Sequence, residues 1–431
     1  MGGENQNQAS QILGLGEPGF PKIFRSFRMA VQPSKLIIAL GLIAATGLAG
    51  WIMDLPKTVV ATPGANGQET ELNVYMTAPE RVKSYIEKYT DTNQRAGVFS
   101  TMWHFAKDKF HGALRELFAF NPPGVLRNAA ECLRAARWAI RHHTVYCVVF
   151  GLIELCLVSI AGGAICRIAA LQLARDEKPG IAEAVRFSVK KFVSFAAAPL
   201  VPIAMVVLAG ACIFFVGLIA NIPFGIGELI VGILMPLALI GGVIVAAVLV
   251  GTIAGFNLML PAVAYDGSDS LDAVSRSFNY VYARPWRMGF YTAVSAVYGA
   301  ICYIFVRLFA FVLLWSTCRC LRLGAGLDSA RGLPDKIMAI WPEPSFARLH
   351  AYSAAAGSWS EAAAAFLVYL FALVIVGLVV SFIISFYFSS NTVIYALMRN
   401  KVDNTPLEEI YTEPEETRSQ PGEVKEQQSQ D

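Results

Sequence analysis

Four stretches of the chain run without a charged residue: Leu36–Met53, Phe192–Gly227, Leu229–Tyr265 and Ala362–Met398. Apolar runs of about 20 residues close their own backbone hydrogen bonds as helices and cross the hydrocarbon core, where no water can satisfy N–H and C=O groups. Two further apolar runs carry one charge each, Glu154 within Thr144–Cys166 and Arg307 within Met288–Trp315. The pattern therefore predicts an all-α polytopic bundle of about six transmembrane helices. Leu229–Tyr265 is too long for one straight span, at about 54 Å for 1.5 Å per residue. Pro223, Pro236 and Gly241-Gly242 are the expected break points, with 224–234 as a short re-entrant or interfacial piece and Pro199 and Pro202 kinking the preceding span.

Between the apolar runs the chain divides into a cytoplasmic N-terminal segment (1–35), the first span (36–53), an extracytoplasmic insertion with amphipathic helices (54–143), spans two to five (144–316), an extracytoplasmic loop (317–360), the sixth span (361–398) and a disordered acidic cytoplasmic tail (399–431). In the insertion, Thr70–Met76 alternates like a strand after Asn66-Gly67, and Ala78-Pro79-Glu80 opens a helix to about Thr90. From Phe99 to Phe118 apolar residues recur at helical spacing, which suits a helix in the headgroup plane or, equally, one packed on the rest of the insertion. Asn121-Pro122-Pro123-Gly124 breaks that helix.

Lys and Arg at the span edges set orientation, since short basic loops stay in the cytoplasm. Lys22, Arg25, Arg28 and Lys35, then Arg167 to Lys191, then Arg276, Arg284 and Arg287, and finally Arg399 and Lys401 put both termini on the cytoplasmic side of the cell membrane. Arg127, Arg134, Arg137 and Arg141 run against this assignment, although long translocated segments are partly exempt. Ile181–Arg186 and Ser270–Ser275 resemble one another, and Phe24-Arg25-Ser26-Phe27 resembles Ser275–Phe278. Either helix pairs repeat in parallel, or every inner boundary favours an aromatic, arginine-rich helix start.

With 55% hydrophobic and 16% charged residues among 431 and a net charge of +3, the chain has no groove-sized basic patch for nucleic acid. Membrane lipids are the expected partners, with room for a protein partner. Of the eight cysteines, Cys147, Cys156, Cys166, Cys212 and Cys302 fall in apolar runs as small hydrophobes; Cys318 and Cys320 have no second pair to complete a metal site.

Intramembrane charge is the strongest pointer to function, so Glu154 and Arg307, at similar expected depth, form a candidate ion pair. It reads either as a substrate or coupling-ion site or as a structural pair. Asp266, Asp269 and Asp272 recur every third residue at an inner boundary, and Asp272, Arg276, Arg284 and Trp286 form a candidate interfacial motif. A capped helix explains them better than a metal ladder. No zinc, Walker or Ser-His set is present, so no catalytic residue, metal or cofactor is expected and the chain is not read as an enzyme.

Three stretches carry a resemblance: Ala164–Ala170 with Ala174–Glu177, Asp272–Phe278 with Arg284-Pro285-Trp286, and Ile394–Arg399. Together they resemble a group of uncharacterised bacterial multi-pass membrane proteins and, distantly, the membrane domain fused to glycerophosphodiester phosphodiesterases. The resemblance implies a helical bundle in a bacterial inner membrane and supplies no catalytic residue. The first reading is a structural, assembly, or lipid- or partner-binding membrane protein; the alternative is a transporter or permease subunit.

Overall fold

A computed structural model describes residues 20–64, 67–89, 95–223, 226–329, 336–346, 349 and 358–412. A 3-10 turn at Phe20–Phe24 leads into α1 (Arg25–Ala30) and α2 (Pro33–Met53). The insertion holds β1 (Val59–Gly64), β2 (Gly67–Thr70), α3 (Glu71–Thr77), α4 (Val82–Tyr89), β3 (Arg95–Ala96), α5 (Val98–Phe118) and α6 (Pro122–His142). Then come α7 (Thr144–Arg175), α8 (Ile181–Lys190), α9 (Phe192–Ala197), α10 (Val201–Ile219), α11 (Ile226–Asp266), α12 (Ser270–Ala283), α13 (Pro285–Ser329), α14 (Lys336–Ile340) and α15 (Trp359–Val402).

Six of these helices, α2, α7, α10, α11, α13 and α15, are long and apolar enough to cross a membrane. The protein is an all-α, multi-pass membrane protein. Large apolar side chains on these helices face outward, as a lipid-facing surface requires: Leu208, Phe214, Ile233 and Ile253 are all exposed.

Three helix boundaries differ from the sequence expectation. The expected break near Pro236 and Gly241-Gly242 is absent, and α11 runs unbroken through Pro236 and Pro261. Proline is tolerated in a membrane helix because neighbouring turns and helices re-satisfy the freed backbone groups. Conversely, the kink expected at Pro199 and Pro202 is a full break: α9 ends at Ala197, and Pro202 sits in the first turn of α10, where a missing N–H costs nothing. The helix after Met288 continues past position 316 into the expected loop, ending at Ser329.

The described part of the chain forms two compact units. The first draws on the described residues within 20–38, 159–296 and 382–412. Within it, α1, α8 and α12 each turn a fully buried serine inward, respectively Ser26, Ser188 and Ser277. Small residues on the spans let these short helices approach closely. A methyl added at Gly163 would lie 2.9 Å from Ser188 Oγ, and one at Gly255 only 2.5 Å from Ser277 Oγ. Ser277 Oγ also donates to the Gly255 carbonyl at 2.5 Å, while Ser385 Oγ donates to the Ala30 carbonyl at the end of α1 at 2.8 Å. The stretches that resemble one another in sequence thus lie on short helices that each bury one serine, with Ser188 and Ser277 facing a glycine of a span and Ser26 bonded within its own turn.

The second unit comprises residues 39–158 and 297–381. Its extramembrane part is a three-stranded antiparallel sheet in the order β2-β1-β3 with helices packed around it. Residues 71–77, expected as a strand, are helical. Leu72, Val74 and Tyr75 satisfy either period, and the decision falls to Glu71, whose buried carboxylate turns back to accept the Val60 N–H at 2.6 Å. Thr70 is the last extended residue and sits at the N-cap position without a side-chain capping bond, so the strand stops there. The Phe99–Phe118 helix packs on the module: Val98 and Thr101 are buried, and Met102 and Phe105 lie against the core of Val59, Leu72, Val82 and Trp138. Asp54 fixes its start, accepting the N–H groups of Phe99 and Ser100 at 2.8 Å each.

Candidate functional site

The densest constellation of charge lies in the first unit, where α11 and α15 end and α12 begins, beside the segment after α15. Asp266 is its centre. The chain turns sharply after this residue through Gly267, whose φ of +62° is costly for any residue with a Cβ and whose open face receives the Tyr411 ring. Asp269 then caps α12, its carboxylate accepting from Asp272 N–H at 2.9 Å. Asp272 lies one turn before Arg276 on α12, so the two pair at 2.8 Å. Arg276 reaches back to Asp266 at 3.4 Å, Arg399 of α15 meets the other Asp266 oxygen at 3.1 Å, and the Tyr395 hydroxyl donates to Asp266. One buried carboxylate therefore sits between two guanidiniums and a phenol.

Burial opposes the charge on Arg276, but the hydrogen bond to Asp272 and the nearby Asp266 outweigh it and raise its affinity for the proton. Tyr280 is pushed above the usual phenol range, first by burial and then by the Asp403 carboxylate, to which its hydroxyl donates at 2.5 Å. Both groups thus keep their protons at neutral pH. The network ties α11, α12 and α15 together through charged contacts.

Its main effect is to hold the segment after α15. Arg399 Nη1 donates to the Glu409 carbonyl at 2.7 Å, Arg167 Nη1 to the Tyr411 carbonyl at 2.8 Å, and the Tyr265 hydroxyl to the Leu407 carbonyl. Tyr411 N–H returns to the Tyr265 carbonyl at 3.0 Å, and Leu407 and Ile410 are buried. The disorder expected from position 399 onward therefore does not hold through 412; positions 413–431 lie outside the described residues. Arg167 also stacks over the Phe187 ring at 4.4 Å.

Of the residues singled out in the sequence, Asp272 and Arg276 belong to this network. Arg284 and Trp286 do not reach into it: Arg284 is the exposed C-terminal cap of α12, and Trp286 is exposed at the start of α13. Glu154 and Arg307 are not brought together by any ion pair. Glu154 faces the hydroxyl of Thr46 on α2, while Arg307 donates to the Phe346 carbonyl at 3.0 Å, to the Tyr303 hydroxyl at 2.7 Å, and meets His111 Nε2 at 2.6 Å. Similar depth on two helices does not place two side chains on facing sides. We expect the stability losses of Arg307→Leu and Glu154→Leu to add in a double-mutant cycle within about 0.5 kcal/mol. Compensation in the double variant, read by thermal unfolding in detergent, would show that the two are coupled.

Sequence reasoning took Lys35, Arg167 and Arg399 as edge charges, but all three are buried. Lys35 Nζ donates to Gln172 Oε1 at 3.0 Å and Ser389 Oγ at 3.4 Å. The only sequence signal for such burial is the adjacency of each to an apolar run, which many exposed edge charges share. No family model, curated protein or solved structure matches this chain, so its own geometry carries the functional reading.

Proposed function

We propose that this is a non-catalytic integral membrane protein of a bacterial cytoplasmic membrane, with both termini cytoplasmic, whose basic helix faces contact anionic lipid or a protein partner. The observation that carries the reading is the common construction of α1, α8 and α12. Each buries a serine inward, while Arg25 and Arg28, Arg186 and Lys190, and Arg284 just past α12 face outward. Exposed Val189, Leu271 and Trp286 lie beside these cations, the amphipathic mix that suits a headgroup region. Likeness to multi-pass membrane proteins of unassigned role fits the same reading.

Lipid extracted with the purified protein tests it: anionic species should be enriched over their share of the source membrane, and a bulk composition would defeat the reading. Sidedness has its own measurement. In a cysteine-free background, Lys178→Cys should react with an impermeant thiol reagent only from the cytoplasmic side and Lys83→Cys only from the opposite side, and labelling of Lys83→Cys from the cytoplasm would invert the topology.

A transporter or permease subunit is the second reading. Lys35, Arg167 and Arg399 favour it, since buried cations at span ends are costly and commonly functional.

A further inference from the structure

A shallow, open cleft in the first unit is lined by Arg25 and Arg28 of α1, by Met29, by Gln172 and Leu173 near the end of α7, and by Asp176 just beyond it. Arg25 and Arg28 stand three residues apart on one helix face, both exposed, and make no hydrogen bond or ion pair among the described residues. A fork of two free guanidiniums is a preferred receptor for a phosphate group.

Behind the lining, Gln172 is held in place by Lys35. Lys35 is fully buried, and its partners are the neutral Gln172 and Ser389, so no carboxylate offsets it. By donating to Gln172 Oε1 it fixes the orientation of that amide. Gln172 is itself 7% exposed, and its Nε2 donates to no described group. Gln172, a nine-tenths buried side chain, therefore offers the cleft wall a donor with no acceptor among the described residues. Asp176 is the one acidic group in the lining, set against Arg25 and Arg28.

The geometry points to a binding site for a phosphate-bearing anion in this cleft, with Arg25 and Arg28 as the charged clamp and Gln172 Nε2, oriented by Lys35, as a neutral donor. This inference rests on the reading that the basic face meets anionic lipid, and narrows it to one cleft. The phosphate belongs either to a lipid headgroup or to a soluble compound, and the two are separable.

The full-length protein in a neutral detergent is titrated with inorganic phosphate in one arm and with dioctanoyl phosphatidic acid in the other, each against sodium chloride of equal ionic strength, and Tm is followed. We expect a saturable rise in Tm. A rise in the phosphate arm identifies a soluble source, and a rise in the lipid arm alone identifies a headgroup. Arg25→Gln/Arg28→Gln should weaken apparent binding at least tenfold, on the order of one to two charge-assisted hydrogen bonds. Gln172→Glu is the sharper variant: it gives Lys35 a carboxylate, so the unliganded Tm should hold or rise, while the donor is lost and binding weakens at least as much. Arg186→Gln/Lys190→Gln should leave binding within about twofold, because these side chains do not line the cleft. No rise in either arm, or a rise that survives Arg25→Gln/Arg28→Gln or Gln172→Glu, overturns the site. An equal loss in Arg186→Gln/Lys190→Gln also overturns it, and leaves the broader reading of a diffuse anionic-lipid face standing. Bulk-composition copurifying lipid would instead remove that broader reading.

Discussion

Asp266→Ala is expected to destabilise the protein by about 3–5 kcal/mol, the usual penalty for removing one partner of a buried ion pair. Asp266 and Arg399 expose only 7% and 9% of their side chains, so the guanidinium left behind cannot recover hydration without opening the structure. Three partners are lost at once, Arg399, Arg276 and Tyr395. The segment after α15 should loosen in consequence, because Arg399 also holds the Glu409 carbonyl and Tyr395 packs on Tyr265 and Tyr280. Two measurements check this: thermal or denaturant unfolding in detergent, and limited proteolysis after Val402, which should accelerate in the variant. Asp266→Ala/Arg399→Met should regain much of the loss, since both unpaired charges are then gone. Asp272→Ala, which removes an i,i+4 pair with a half-exposed carboxylate, should cost no more than about 0.5 kcal/mol. Equal effects at the two aspartates would show that burial is not what makes Asp266 costly.

The contrast between these aspartates also marks what a linear reading can reach. Spacing alone pairs Asp272 with Arg276, and the cap at Asp269 is legible from residue type and position. Asp266 belongs visibly to the same triplet, yet Arg399 and Tyr395 come from a helix well over a hundred residues away, and only the packing of α15 against α11 and α12 brings them in. The spans are legible for a simpler reason: a charge-free run of such length has one outcome in lipid. Helix boundaries are not, because proline reads as a break at Pro236 and as a kink at Pro202, and the structure reverses both. Which outcome applies depends on neighbouring backbone rather than on the proline itself. Glu154 and Arg307 fail for a related reason. Depth along a helix follows from counting residues, whereas the direction a side chain faces also depends on rotation about the helix axis, which is set by tertiary contacts with Thr46 in one case and His111 and Phe346 in the other. Lys35 is the extreme case, read as an edge charge and found fully enclosed.

Trp138→Ala should cost about 3–5 kcal/mol within the extramembrane module, as expected for truncating a fully buried indole. Trp138 has no exposed surface and packs in one core with Val59 of the sheet, Leu72 of α3, Val82 of α4 and Val98 of α5, so a single cavity would loosen all four elements. Its ring edge also meets the His143 imidazole at 5.1 Å. The indole Nε1 has no hydrogen-bond partner among the described residues, which separates the ring's packing from its polarity. Trp138→Phe should therefore cost less than about 1.5 kcal/mol, because the smaller ring leaves a modest void while a buried, unsatisfied N–H is removed. Amide hydrogen exchange read over residues 59–64 and 71–89 resolves the module from the spans: protection there should collapse in Trp138→Ala and persist in Trp138→Phe, with the span amides unchanged in both. Equal deprotection by the two substitutions would mean that the N–H finds an acceptor in solution and that polarity, not volume, holds the module's centre.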